Sequence, residues 1–394
     1  MRLGLDDLPL DDPAFRRVFA AEAVSLLGTG VAPVALVFAV LSVSDAAGVG
    51  IVLAARTIPQ VALLLGAGVV ADRRSPRAVL VLADAARAAT QGLTALLLIA
   101  GEAELWHLAA LQAAYGAAAA FSGPAHSSLI ADVVAPERLQ AANSLRAFAE
   151  SLAQIAGPAI AGVLVVAVGP GWGLAVDAAS FAASALLLAT LVVAAPAPAA
   201  ARRMLTDLRE GWRAFRSIDW LWRGVLTMSL WNAAWGAYQV LGPVVAEKAA
   251  VWAAVSTAYG LGAVAGGLAL VRLRPRRPGL LFSAGLALGS APALALATGL
   301  PVGVAVAAAA VAGAGAVGFN ATWQSVVQRQ VPRESLSRVT SYDLFGSFAL
   351  GPVGFALGGF LAEPLGATTA LLGAGLALAA LSALLWSFAS VRAL

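Results

Sequence analysis

The chain has 394 residues, 60% of them hydrophobic and only 12% charged, with a mean hydropathy of +0.86. Soluble domains carry about 25% charged residues, so this composition excludes a soluble globule and points to a protein that lives in lipid. The net charge of +4 comes from arginines scattered between apolar runs, which excludes a nucleic-acid surface, and the lack of cysteine excludes disulfides and thiolate metal sites.

The opening stretch, MRLGLDDLPLDDPAFRRVFAAE, is acidic and then basic and has no small-residue cleavage site, so a cleaved signal peptide is not expected. Apolar runs centred near residues 28, 60, 89, 116, 152 and 183 predict six spanning helices, each supplying the ~20 residues a span needs. Runs centred near 234, 261, 288, 313, 348 and 377 predict six more. The alternating strands of an outer-membrane barrel are absent. Between the two sets, residues 196–223 open with Pro196 and Pro198. They then place Leu205, Leu208, Trp212, Phe215 and Ile218 on one helical stripe, with arginines and acids opposite. That pattern predicts an amphipathic helix at the membrane surface, linking a half at 1–195 to a half at 224–394. The expected fold is therefore all-α, with twelve transmembrane helices in two pseudo-symmetric six-helix halves.

A cytoplasmic N-terminus puts Arg2, Arg16, Arg17, Arg73, Arg74, Arg77 and Arg138 inside. It does the same for the arginines at 202–223, 272–277 and 329–338, and for Arg392. Of the 25 basic residues only Lys248 falls in an outside loop, while Arg56, Arg87 and Arg146 lie within or near spans. This bias predicts that both termini are cytoplasmic. The arginine-rich, lysine-poor composition suggests a GC-rich bacterial genome and hence an inner (cell) membrane. The single lysine, Lys248, follows Glu247, which excludes a GxxxxGK[ST] phosphate loop and, with it, ATP as a partner. His107 and His126 make no metal-ligand cluster, and no nucleophile–base spacing stands out. No catalytic residue, enzymatic activity, metal or cofactor is expected.

The chain also reads as one unit written twice. FSGPAHSSLIADVVAPERL with AGPAIAG, from Phe121 through Pro158, is echoed by FNATWQSVVQRQVPRESL with LGPVGFALGG, from Phe319 through Pro352. The separations are close to half the chain, far longer than a solenoid repeat. In so apolar a chain, two diverged halves point to a secondary transporter built around a shared central cavity.

The loop after the second span, Gly68-Val69-Val70-Ala71-Asp72-Arg73-Arg74-Ser75-Pro76-Arg77, resembles the G-x-x-x-D-R-x-G-R-R signature of the major facilitator superfamily. Ser75 replaces the usual glycine and Pro76 an arginine. The second-half loop keeps Gly267 and Arg272 but has Val271 where the first half has Asp72. Gly157-Pro158 with Gly162 resembles the glycine–proline signature of proton-driven antiporters in that superfamily, and Gly351-Pro352 repeats it. The stretches 129–142, 171–188 and 328–359 resemble the branch holding macrolide-efflux and enterobactin-export proteins. The resemblance implies a cytoplasmic gate in which Asp72, Arg73 and Arg77 latch the halves; the plainer alternative is arginines holding a loop inside. Gly157 and Gly162 would allow close helix contact and Pro158 a bend.

A charge inside the membrane needs a partner, a wet cavity or a function. Asp84 with Arg87, and Arg146 with Glu150, are spaced to pair on one helical face. Glu22 has no basic residue three or four positions away, which makes it the preferred proton carrier, with snorkelling to the interface as its alternative. Asp177 and Asp343 are further proton-coupling candidates; their plain readings are a helix cap and an inner-surface carboxylate. His126 reads as vestibule-lining or simply solvated.

Trp231, Trp235 and Tyr238 follow an i, i+4, i+7 stripe beside Asn232, and Asn320 and Trp323 add a polar wall. They are the substrate-cavity candidates, with a lipid-facing belt as the alternative. Trp220 and Trp222 read as interfacial-belt residues. The expected function is proton-coupled export of an amphipathic organic molecule, with small-molecule cargo, protons and the lipid bilayer as partners. A nutrient importer of the same fold, or a non-transporting sensor or scaffold, is the alternative.

Overall fold

The computed structural model describes residues 9–191, 204–272 and 277–394, with the backbone alone for 65–73, 136, 204–208, 210, 271–272, 333–334 and 337–338. Among these residues every regular element is a helix, and they fall into two compact units. The first comprises Met1–Ser44 and Ala55–Ala199, the second Asp45–Ala54 and Ala200–Leu394.

The first unit contains α1 (Pro13–Leu41), α2 (Ala46–Arg73, from Ala55 onward), α3 (Pro76–Ala100), α4 (Leu105–Ala119), α5 (Ser122–Val133), α6 (Leu139–Ala167) and α7 (Pro170–Ala189). Helix α1 starts where the sequence supplies both start signals. Pro13 occupies the first turn, where its missing N–H is not needed, and the Asp12 carboxylate accepts from the N–H groups of Ala14 and Phe15. Beside it the exposed Asp11 accepts a hydrogen bond from Arg138 at 2.7 Å, and that guanidinium holds the Asp11 carboxyl below its usual range.

The second unit contains α8 (Met204–Ser217), α9 (Asp219–Ala246), α10 (Ala249–Arg272), α11 (Pro278–Leu288), α12 (Ala291–Ala297), α13 (Val302–Gln330), α14 (Arg333–Phe348), α15 (Gly351–Leu365), α16 (Ala367–Ser387) and the short α17 (Ala389–Arg392).

Nine segments among the described residues are long and apolar enough to cross a membrane, and each falls at an expected span. The helices at the spans expected near 89, 116 and 234 fall outside that set. Helix α3 carries Arg77, Asp84 and Arg87, the run near 116 is divided between α4 and α5 at Ala120 and Phe121, and α9 carries Asp219, Arg223, Asn232 and Gln239 among its tryptophans.

The two units are built alike. In the first, α1 packs on α6 and α7, and α3 on α7; in the second, α9 packs on α15 and α16, and α11 on α16. Small residues set these crossings. A Cβ on Gly157 would stand 2.3 Å from the Gly30 backbone, so α1 and α6 touch main chain to main chain. In the second unit a Cβ on Gly354 would stand 1.9 Å from the Ala233 carbonyl oxygen, and one on Gly262 would stand 1.8 Å from that of Ala310. Close backbone approach of this kind is how helices associate where lipid removes the hydrophobic drive between them.

The halves differ at their shared Gly-Pro. Helix α6 runs unbroken through Gly157-Pro158, whereas Gly351-Pro352 opens a new helix after α14 has ended.

The amphipathic stripe expected near 205–218 forms α8, with Phe215 of its aromatic face buried and Trp212 half exposed. Phe215 stacks on Tyr342 of α14 at 6.0 Å and Trp212 lies 5.6 Å from the same ring. Residues 192–203, which include Pro196 and Pro198, lie outside the described residues, as do the side chains of Leu205 and Leu208.

Candidate functional site

The interior of the first unit holds three carboxylates and three arginines, and each carboxylate is served differently. Asp84, with no exposed surface, pairs with Arg87 one turn away and accepts a hydrogen bond from Ser184 of α7 at 2.6 Å. The Arg87 guanidinium lies 4.0 Å over the Phe181 ring, so its flat face is covered by an aromatic. This pair is the one the spacing predicts.

Glu22 departs from the sequence expectation. It is buried, 3% exposed, nine positions after the start of α1, and it is not isolated. The Arg146 guanidinium of α6 donates to it at 2.5 Å, and His126 of α5 places Nδ1 3.8 Å from the same oxygen. Arg146 therefore turns to Glu22 across the helix interface rather than to Glu150 on its own helix. Glu150 is exposed. His126 is buried, not solvated. The reason is the Gly30–Gly157 contact, which brings α1 and α6 close enough for side chains two to three turns away to meet.

Asp177 is not a helix cap. Gly169, in the left-handed region with φ of 95°, precedes α7, and Asp177 lies two turns inside it with no exposed surface. Its Oδ2 accepts from Gln91 of α3 at 2.6 Å, the Gln91 oxygen accepts from Gln112 of α4 at 2.7 Å, and the Gln112 oxygen accepts from Arg56 of α2 at 3.4 Å. Arg56 also covers the Tyr115 ring at 4.1 Å. Nothing in the sequence flags Gln91 and Gln112, which sit in apolar runs on separate helices; only their shared depth in the unit joins them.

In the second unit Asp343 is buried, contrary to the inner-surface reading, and accepts from the Trp323 indole at 2.9 Å. Trp323 itself packs among Trp220, Phe282 and Phe319, with centroids 5.2 to 5.5 Å away. Trp220 is likewise core rather than interfacial belt, and its indole donates to Gln330 at 2.6 Å.

The stripe of α9 forms a ladder of rings. Trp231 stacks on Trp235 at 5.3 Å, Trp235 meets Tyr238 at 4.7 Å, and Tyr259 and Trp252 of α10 extend it. Asn232 is half-buried and donates to the Ser347 carbonyl at 2.9 Å. Asn320 is exposed and donates back to Ala316 of its own helix, so it does not join Trp323 in one wall. The stripe of α9 holds together as packed interior, with Trp231 and Tyr238 buried and Trp235 half-buried, whereas the expected extension through Asn320 and Trp323 does not.

Of the loop motif, the side chains of Gly68, Asp72 and Arg73 lie outside the described residues. Arg77 is seen, and it caps a helix: its guanidinium donates to the carbonyls of Leu188 and Ala189 at the end of α7, while Arg17 reaches Thr190 at 3.4 Å. Cations at a helix C-terminus satisfy orphan carbonyls and oppose the helix dipole. Arg77→Gln is expected to destabilise the protein by about 1–2 kcal/mol, read as a lower melting temperature, with Arg77→Lys intermediate; an unchanged melting temperature would remove the cap from the list of stabilising contacts.

A family model described as a transmembrane secretion effector matches residues 8–393. The fold agrees with solved transporters. A nucleoside transporter, NupG, superposes with a TM-score of 0.76 at 14% identity, covering 95% of this chain and 97% of its own. The chain belongs to the major facilitator superfamily. A POT family transporter solved with 5-aminolevulinic acid gives a TM-score of 0.76 at 12% identity, over 96% and 97% of the two chains. A bacterial homologue of the human lysosomal transporter Spinster gives 0.68 at 17%, again over 96% and 97%. No curated protein sequence matches. This major facilitator protein is thus an integral, multi-pass secondary transporter.

Proposed function

We propose that this transporter exports an amphipathic organic compound, of drug, antibiotic or siderophore type, in exchange for protons by alternating access. The observation that carries the reading is the Glu22–Arg146 pair with His126 beside it. A desolvated ion pair sits near break-even between Coulomb gain and desolvation cost. One proton on Glu22 removes the attraction and frees Arg146, whose side chain is already 32% exposed. Asp177 and Asp343 are the other carboxylates available to the same chemistry.

The half-buried Trp235 and Asn232 would give an amphipathic cargo an aromatic face and a polar edge, with buried Trp231 and Tyr238 packed behind them. The gate motif would be Gly68, Asp72, Arg73 and Arg77, and the antiporter-like motif Gly157, Pro158 and Gly162. We place the protein in a bacterial inner membrane with both termini cytoplasmic, on the strength of its arginine distribution. The proposed halves are 1–195 and 224–394, joined by 196–223.

The test is accumulation of dyes, macrolides and siderophores in pump-deficient bacteria expressing the chain, with and without a protonophore. Lower accumulation that the protonophore abolishes is the expected result, and Glu22→Gln is expected to lose concentrative efflux. Higher accumulation of any compound would make the protein an importer. Glu22→Gln cells that still pump against a gradient would exclude Glu22 as the carrier.

A further inference from the structure

The line from Arg56 to Asp177 has a fixed direction. Arginine has five donors and no acceptor, so it can only face the Gln112 oxygen. The Gln112 amide nitrogen must then point to Gln91, whose own nitrogen points to Asp177 Oδ2. Two amide dipoles thus carry the polarity of a distant cation to one oxygen of the carboxyl and lock that oxygen as an acceptor.

The other oxygen, Oδ1, is buried and has no hydrogen-bond partner among the described residues. It faces α1 at Gly28, where a Cβ would stand 2.9 Å from Oδ1 and 2.0 Å from the Ser180 hydroxyl. That stretch lies in mid-helix, so its backbone N–H groups are spent on intrahelical bonds and offer Oδ1 nothing.

The charged groups on the elements packed against α7 are already committed or turned away. On α3, Asp84 holds Arg87, and Arg77 caps the far end of α7. On α1, Glu22 holds Arg146 of α6, and Arg17 reaches the end of α7. Arg16 lies at the start of α1, beside Arg17, and Glu150 of α6 is exposed. Arg56 touches Asp177 only through the two glutamines.

From this geometry we infer that Asp177 Oδ1 is a proton-binding site in its own right, separate from the Glu22–Arg146 pair, with the Gln91–Gln112–Arg56 line holding the opposite oxygen. Binding is the addition of one proton to a carboxylate to give a neutral carboxylic acid, and no other bond changes. Its consequence is mechanical: the charge at the α1–α7 contact switches on the same helix, α1, that Glu22 ties to α6. The inference deepens the proton-coupled reading, but its test needs no transport, so the two can fail separately.

The experiment is infrared difference spectroscopy of the purified full-length protein, titrated from alkaline to mildly acidic pH. A carbonyl band of a protonated, buried carboxyl is expected to grow in the wild type, and one component of it to be retained in Glu22→Gln and lost in Asp177→Asn, which leaves only what Glu22 and Asp343 contribute. Gln91→Leu keeps the carboxyl but removes the donor on Oδ2, so the band should move to higher frequency. This second variant keeps the idea testable if Asp177→Asn does not fold. A wild type with no such band, an Asp177→Asn spectrum that matches it, or a band unmoved by Gln91→Leu would each overturn the assignment.

Discussion

Gly157→Val is expected to give a protein that folds poorly or melts well below the wild type. A Cβ at this position would lie 2.3 to 2.5 Å from the C, Cα and O atoms of Gly30, and one on Gly30 would lie 2.4 Å from the Ala153 carbonyl oxygen. Both sides of the contact are main chain, so no side chain can swing away to make room. Overpacking a tight core typically costs about 1–3 kcal/mol per added group, and a rigid backbone contact belongs at or above the top of that range. Gly123→Ala is the matched control, since nothing lies within 4 Å of its Cβ and alanine is the better helix former. The comparison is the melting temperature of the two detergent-purified variants against wild type. If Gly157→Val melts with the wild type, α1 and α6 do not touch there, and the route by which Glu22 reaches Arg146 collapses with it.

Removing half of the Asp84–Arg87 pair should be the other costly change. Asp84→Leu strands a guanidinium that is only 7% exposed, with the Phe181 ring over its face. Uncompensated buried charge is expected to cost about 3–5 kcal/mol. The double replacement Asp84→Leu/Arg87→Met removes both charges together and should recover most of that loss, because a buried pair is often no better than apolar residues of like volume. Thermal unfolding of Asp84→Leu, Arg87→Met and the double variant closes the cycle. A double variant as unstable as the sum of the singles would show that the two residues act independently, through Ser184 and Phe181, and not as a pair.

The legibility of side-chain contacts in the sequence reaches partners that are close along the chain. Asp84 and Arg87 are three positions apart, so helical geometry alone places them together. The Trp231–Trp235–Tyr238 ladder is local in the same way. Remote partners lie beyond that reach. Glu22 looked isolated because its partner, Arg146, is on another helix; Arg146 looked matched to Glu150 because only the local alternative is visible in a sequence. Asp177 sits a short step after a glycine-rich turn, which reads as a cap, and the glutamines that engage it stand on α3 and α4. Trp323 and Asp343, twenty positions apart, were assigned to a cargo wall and a surface, and the fold puts them against one another inside the second unit.

The sequence by itself determined the medium, the helices and the duplication. Each is a sum over neighbouring residues: a 60% hydrophobic chain with recurring apolar runs has to place those runs in lipid, and in lipid a backbone has to close its hydrogen bonds within a helix. Tertiary structure decided which buried charges face which. That depends on where helices cross, and the crossings are set by a few small residues, such as Gly30 against Gly157, whose significance is a matter of contact across more than a hundred residues of chain.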